Sequence, residues 1–167
     1  ATTSIIGDVV ANIGDDLIDL TVMMPAGADP HSFEPSPRQI AALSDADIVF
    51  VNGFDLEETL TPVLDSAATP DKIVAVSDGV DPILFAGKDA DAMDKGQRYD
   101  PHTWMDPNNV VVWTQNIEDA LSKVDPDHED AYHQDAEDYR DQLQELDDWI
   151  QAQIAPLLPL KVVTDHK

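Results

Sequence analysis

Apolar positions along the chain switch between helical and extended spacing. Residues 4–13 place Ile5, Ile6, Val9, Val10 and Ile13 along one stripe, which predicts a helix stopped by Gly14. The apolar run at 17–24 predicts a strand that empties into a Pro/Gly-rich loop over 25–35. Ser36 then predicts a helix cap, with Pro37 at the first helical position and the helix running to about Ser44. Short apolar runs at 48–51 and 73–76 read as buried strands, separated by a helical pattern at 56–66. Strand and helix in alternation predict an α/β fold with a parallel sheet flanked by helices.

Beyond Ile83 and Leu84 the pattern lapses. Residues 86–100 are rich in Gly, Asp and Lys without periodicity, and read as an exposed loop. Asp106-Pro107 predicts the start of a helix over 108–123, and Asp125-Pro126 the start of another. In this last one Tyr132, Ala136, Tyr139, Leu143, Leu146, Ile150, Ile154 and Leu157 recur at spacings of three and four. About 30 residues make about 45 Å of helix at 1.5 Å per residue, longer than most domains are wide. Its single narrow stripe fits a spine along one side of a domain better than an ordinary core helix. Pro156 and Pro159 close it, and 160–163 reads as the start of a strand. The expected organisation is a lobe over 1–124, a long linker helix over 125–158, and at 159–167 the opening of a further lobe.

Composition changes the picture through charge. Hydrophobic residues make up 43%, enough for a real core, but 34 Asp and Glu face nine Lys and Arg, a net charge of −25. Such a surface repels phosphate backbones and anionic lipid, which argues against nucleic-acid and membrane-surface partners, and it attracts cations. Asp supplies 27 of the acids and Glu seven, spread along the whole chain. This Asp-rich, Lys-poor pattern is expected of a salt-adapted, halophilic protein, whose self-repulsion counter-ions screen. The absence of Cys removes disulfides, thiolate zinc sites and cysteine nucleophiles. No apolar run reaches the roughly 20 residues of a membrane span. No signal peptide is visible at Ala1, and a mature exported chain would look the same.

Candidate chemistry lies in the histidines. His128 and His133 fall on the acidic side of the long helix and read as solvated surface residues. His31, His102 and His166 each follow a predicted strand or loop end, where α/β sheets place their ligand sites. His31 and His102 share the triplet Asp-Pro-His, as Asp29-Pro30-His31 and Asp100-Pro101-His102. Composition predicts that triplet about 0.06 times in the chain. Proline stiffens the backbone just before the imidazole. Three imidazoles suit a borderline metal ion, and a carboxylate can orient the second ring nitrogen. The alternative is ordinary loop histidines held by neighbouring acids. Separations of 71 and 64 residues are no zinc-finger spacing, so only the fold could gather them.

The stretch Pro25-Ala26-Gly27-Ala28-Asp29-Pro30-His31-Ser32-Phe33-Glu34-Pro35-Ser36-Pro37-Arg38, with Ile40 to Asp47 after it, resembles the signature region of zinc/manganese-type solute-binding proteins of ABC transporters. Asp100-Pro101-His102-Thr103-Trp104-Met105-Asp106-Pro107 resembles their second signature, and Val162-Val163-Thr164-Asp165-His166 the third. The resemblance implies the first lobe of a bilobed, TroA-like receptor followed by the long helix, with metal in the cleft between lobes. It implies His31 and His102 as first-lobe ligands, His166 as the third, and a carboxylate beyond residue 167 as the fourth. It also implies capture rather than catalysis, delivery of the metal to a membrane permease, and an extracytoplasmic location, often through an N-terminal lipid anchor. The segment 87–98 lacks the histidines that many zinc-specific members carry there. His at the third position favours Zn²⁺, with Mn²⁺ or iron as alternatives, because imidazole suits zinc and oxygen donors suit manganese. Asp165 reads as a surface acid rather than an acceptor for His166. A surface adhesin on the same fold is a second reading. A three-His zinc hydrolase is a third, weakened by the lack of a His-Glu-x-x-His element.

Overall fold

The computed structural model describes residues 1–84 and 99–159. Of the loop expected at 86–100 all but Tyr99 and Asp100 lie outside the described residues, as do the strand expected at 160–163 and His166; Tyr99 forms an isolated antiparallel bridge with Leu84. The first helix, α1 (Ser4–Gly14), starts where the Thr3 hydroxyl accepts the Ile6 N–H, and buries Ile6, Val9, Val10 and Ile13. The second, α2 (Pro37–Asp45), opens on Ser36, whose N–H donates to Gln39 Oε1 at 2.8 Å. Strand β1 (Val49–Val51) follows, then a 3-10 turn at Glu58–Leu60 leading into α3 (Thr61–Ala67). Strand β2 (Ile73–Ala75) pairs with β1 in parallel, Phe50 opposite Val74.

Alternation along β1 divides the core in two, as side chains on a strand must point to opposite faces. Phe50 joins one cluster with Val76, α1 and the two later helices; Val49 and Val51 join the other with Met23, Met24, Leu43, Leu60 and Leu64. Helices therefore cover both faces of the parallel pair, as the alternation predicted.

Residues 17–24 do not form the expected strand. A 3-10 turn takes Asp15–Leu17, and the chain then runs past the amino terminus. There the N–H groups of Met23 and Met24 donate to the carbonyls of Ala1 and Thr2, and the Thr2 N–H donates to the Phe50 carbonyl. With the Ala1 amino group donating to the Thr21 carbonyl at 2.9 Å, the apolar run lies alongside the sheet without forming a strand of it.

Asp106 caps α4 (Pro107–Val124) by accepting the Asn108 N–H at 2.9 Å. After a 3-10 turn at Pro126–His128 comes α5 (Glu129–Ile154), whose 26 residues span about 39 Å. Its stripe divides midway. Tyr132, Ala136 and Leu143 are buried against α1 and α4, each burial of a large apolar side chain contributing about 1.5–3 kcal/mol. Leu146, Trp149, Ile154 and Leu157 are exposed.

His128 and His133 are less detached than their positions suggested. His128 Nδ1 lies 2.7 Å from Asp125, which also accepts the Tyr132 hydroxyl. His133 Nδ1 lies 2.7 Å from the buried Glu118, whose other oxygen accepts from Arg140 at 2.8 Å. They clasp the turn before α5 and the α4–α5 seam, which helical periodicity cannot show.

Candidate metal centre

The fold brings His31 and His102 together across 71 residues of sequence: their ring centroids lie 5.8 Å apart at 68°. Both triplets build the same local turn. In each, the Asp Oδ1 accepts the N–H of the His two residues on, at 3.0 Å in both copies. Asp thereby closes an Asx-turn while Pro fixes the intervening φ. In the first copy Asp29 Oδ2 also accepts the Ser32 hydroxyl at 2.8 Å. In the second copy Asp100 Oδ1 lies 2.7 Å from His102 Nδ1 as well. An ionised carboxylate only accepts, so Nδ1 carries the hydrogen, and in a neutral ring Nε2 is then the acceptor nitrogen.

Edge-to-face ring pairs commonly lie 4.5–7 Å apart. Two imidazoles sharing one ion at Zn–N distances of about 2.0–2.1 Å would place their centroids about 5–6 Å apart. The separation fits both; the carboxylate behind the His102 ring is what matches a metal ligand. Trp104 stands edge-on to His102, centroids 5.2 Å apart, close enough to report on the ring.

The second turn is fixed from beneath. The Ser77 and Thr103 hydroxyls are 2.9 Å apart, Trp113 Nε1 donates to Ser77 at 2.9 Å, and Asn109 donates to the Thr103 carbonyl. From the end of β1, Asn52 Nδ2 donates to the carbonyls of Gly53 and Pro101, both at 2.9 Å. Glu57, almost fully buried, accepts from the Asn52 N–H and the Thr2 hydroxyl, each at 2.7 Å. Burial pushes its carboxyl above the ordinary value of 4.5, against those stabilising bonds. Gly53 has φ +91°, and an added Cβ there would meet the Ala75 Cβ at 3.3 Å. Phe54 and Asp55 continue the left-handed run at φ 51° and 60°. Sequence reasoning did not single out Asn52, Glu57, Ser77 or Thr103. The available signal was Asn52-Gly53, a turn dipeptide just after a predicted strand.

His166 lies outside the described residues. Among the described residues no three or more His, Asp or Glu side chains gather into a group able to hold a metal. What the described residues show at this place is two facing imidazoles, each on a turn closed by an Asp carboxylate.

A lobe of parallel strands between helix layers, ending in a long helix, is the fold of TroA-like periplasmic metal-binding proteins. The structure of the Mn-bound periplasmic metal-binding protein from Candidatus Liberibacter asiaticus matches 93% of this chain and 53% of its own, with a TM-score of 0.75 and 31% identity. The family described as zinc-uptake complex component A, periplasmic (ZnuA), matches residues 1–167, and the chain belongs to that family. Manganese-binding lipoprotein MntA of Halalkalibacterium halodurans is 37% identical over 154 residues, 92% of this chain and 48% of the relative. The manganese ABC transporter substrate-binding lipoprotein PsaA of Streptococcus pneumoniae is 38% identical over 152 residues, 87% of this chain and 48% of the relative. The chain thus spans about half the length of the curated relatives it matches.

Proposed function

We propose that the chain is the first, metal-capturing lobe of an extracytoplasmic solute-binding protein that delivers a divalent transition metal to an ABC permease. The observation that carries this is the juxtaposed pair His31 and His102, with Asp100 behind the second ring. On this reading residues 1–124 form the lobe, the helix of 125–158 joins it to the next, and His166 supplies the third ligand. Capture, not turnover, is the chemistry, and the relatives named above are transport and binding proteins. The acidic surface raises the local cation concentration, and the lipoprotein relatives support a membrane-anchored form.

The metal is Mn²⁺ or Zn²⁺. The manganese in the names of MntA and PsaA supports the first; a third imidazole at His166, if it ligates, supports the second. Calorimetric titration of both ions in molar salt, with Trp104 fluorescence in parallel, tests the reading on this chain and on His102→Ala. One-to-one binding that disappears in His102→Ala is expected, and the tighter ion gives the preference. Weak, non-stoichiometric binding equal in both proteins would leave only attraction to the acidic surface and overturn it.

A further inference from the structure

We propose that Asn52 is a positioning residue for His102, acting through the Pro101 carbonyl to set the peptide plane from which the imidazole projects. The inference rests on His102 being a metal ligand. A peptide unit is rigid, with its oxygen and its hydrogen on opposite edges. In the Pro101–His102 unit both edges are held: Asn52 donates to the oxygen at 2.9 Å, and Asp100 accepts the hydrogen at 3.0 Å. The Pro101 ring already restricts φ on the upstream side. The same Asp100 oxygen then orients the His102 ring through Nδ1. Backbone and side chain of the ligand are therefore fixed by one carboxylate, and the register of that unit by Asn52.

Two observations separate this from ordinary core filling. Asn52 is completely buried, both bonds of its amide nitrogen run to carbonyl oxygens, and its own Oδ1 is buried without a hydrogen-bond partner among the described residues. Turning the amide over would set oxygen against the Gly53 and Pro101 carbonyls, so the fold keeps an unpaired acceptor to retain the donor. In addition, the left-handed run just after Asn52 brings the Phe54 ring edge-on to Tyr99, centroids 5.6 Å apart. The end of β1 thus grips the chain on both sides of Asp100, at Tyr99 and at Pro101.

The test is Asn52→Ala in the full chain, with histidine ring ¹⁵N NMR in the absence of metal and calorimetry with Mn²⁺ and Zn²⁺. The wild-type His102 ring is expected in the form protonated at Nδ1. Asn52→Ala should give a mixture of tautomers and bind the preferred ion about tenfold more weakly, in the range set by loss of an outer-shell partner. The His128 and His133 signals, from rings bonded to Asp125 and Glu118 away from the site, should stay unchanged, which a general loosening of the fold would not allow. Asn52→Ser, whose hydroxyl is too short to reach Pro101, should behave as Asn52→Ala does. An unchanged His102 tautomer with wild-type affinity would overturn the inference, as would unfolding of both variants, which would assign Asn52 to the fold. If wild type binds no metal, the proposed function fails by itself, while the metal-free ring spectra still decide on Asn52.

Discussion

The two Asp-Pro-His turns share their residues and the 3.0 Å bond from the His N–H to the Asp carboxylate, yet differ in what surrounds them. His31 sits on an exposed loop between Met24 and α2, while the His102 side chain is only 14% exposed. Beneath the second turn lie Asn52, Thr103, Ser77 and the fully buried Trp113; the first is bordered by Ser32 and the half-buried Phe33. Identical triplets thus build the same Asx-turn, but the two imidazoles differ in burial. On the proposed function, the buried His102 ring with its Asp100 partner would be the pre-set contact for an ion and the more exposed His31 the accessible one.

The largest effect expected from breaking this contrast is on stability. Trp113→Ala should cost about 3–5 kcal/mol in urea unfolding, whereas Phe33→Ala should cost about 1 kcal/mol. Equal losses would show that the two turns are supported alike. Next come the rings themselves. His31→Ala and His102→Ala should each weaken metal binding by more than about 100-fold, beyond the 10–100-fold typical of outer-shell changes. A His31→Ala loss no larger than an outer-shell one would remove the exposed copy from the ligand set. Asp100→Asn keeps an acceptor for the His102 N–H but weakens the hold on Nδ1, and calorimetry should read a loss of about tenfold.

Smaller effects follow from titration. Glu57 has its carboxyl raised in the folded state by burial, so folding is opposed once pH passes 4.5, increasingly until the raised value is passed. Urea midpoints of wild type should therefore carry a downward slope above pH 4.5 that Glu57→Gln lacks. His133 shifts upward through its hydrogen bond to Glu118 and the charge of that group. A raised histidine stabilises fully below its ordinary 6.5 and loses that contribution as pH rises through the folded value. His133→Asn should flatten the curve above pH 6.5, and only slightly, because the ring is largely exposed.

Much of this was legible in the chain. Periodicity found α1, α2, α4 and α5, because caps such as Thr3, Ser36 and Asp106 and the stripes they precede are local. The apolar run at 17–24 was read as a strand since it has the composition of one; in the fold it lies alongside the sheet, bonded to residues 1 and 2, without forming a strand. The Asp-Pro-His triplets marked the candidate ligands, since an Asx-turn is decided within three residues. Asn52 and Glu57 were not found, because a buried amide or carboxyl gains meaning only from what it meets 49 or 55 residues away in the chain.

By itself the sequence determined the helices, the acidic surface and the two turns that aim an imidazole, all products of neighbouring residues and their short-range bonds. Only the tertiary structure decided that His31 and His102 face one another, that α5 buries half its stripe, and that one turn is clamped. Those outcomes depend on which distant groups burial brings into hydrogen-bonding range, and no local pattern encodes them.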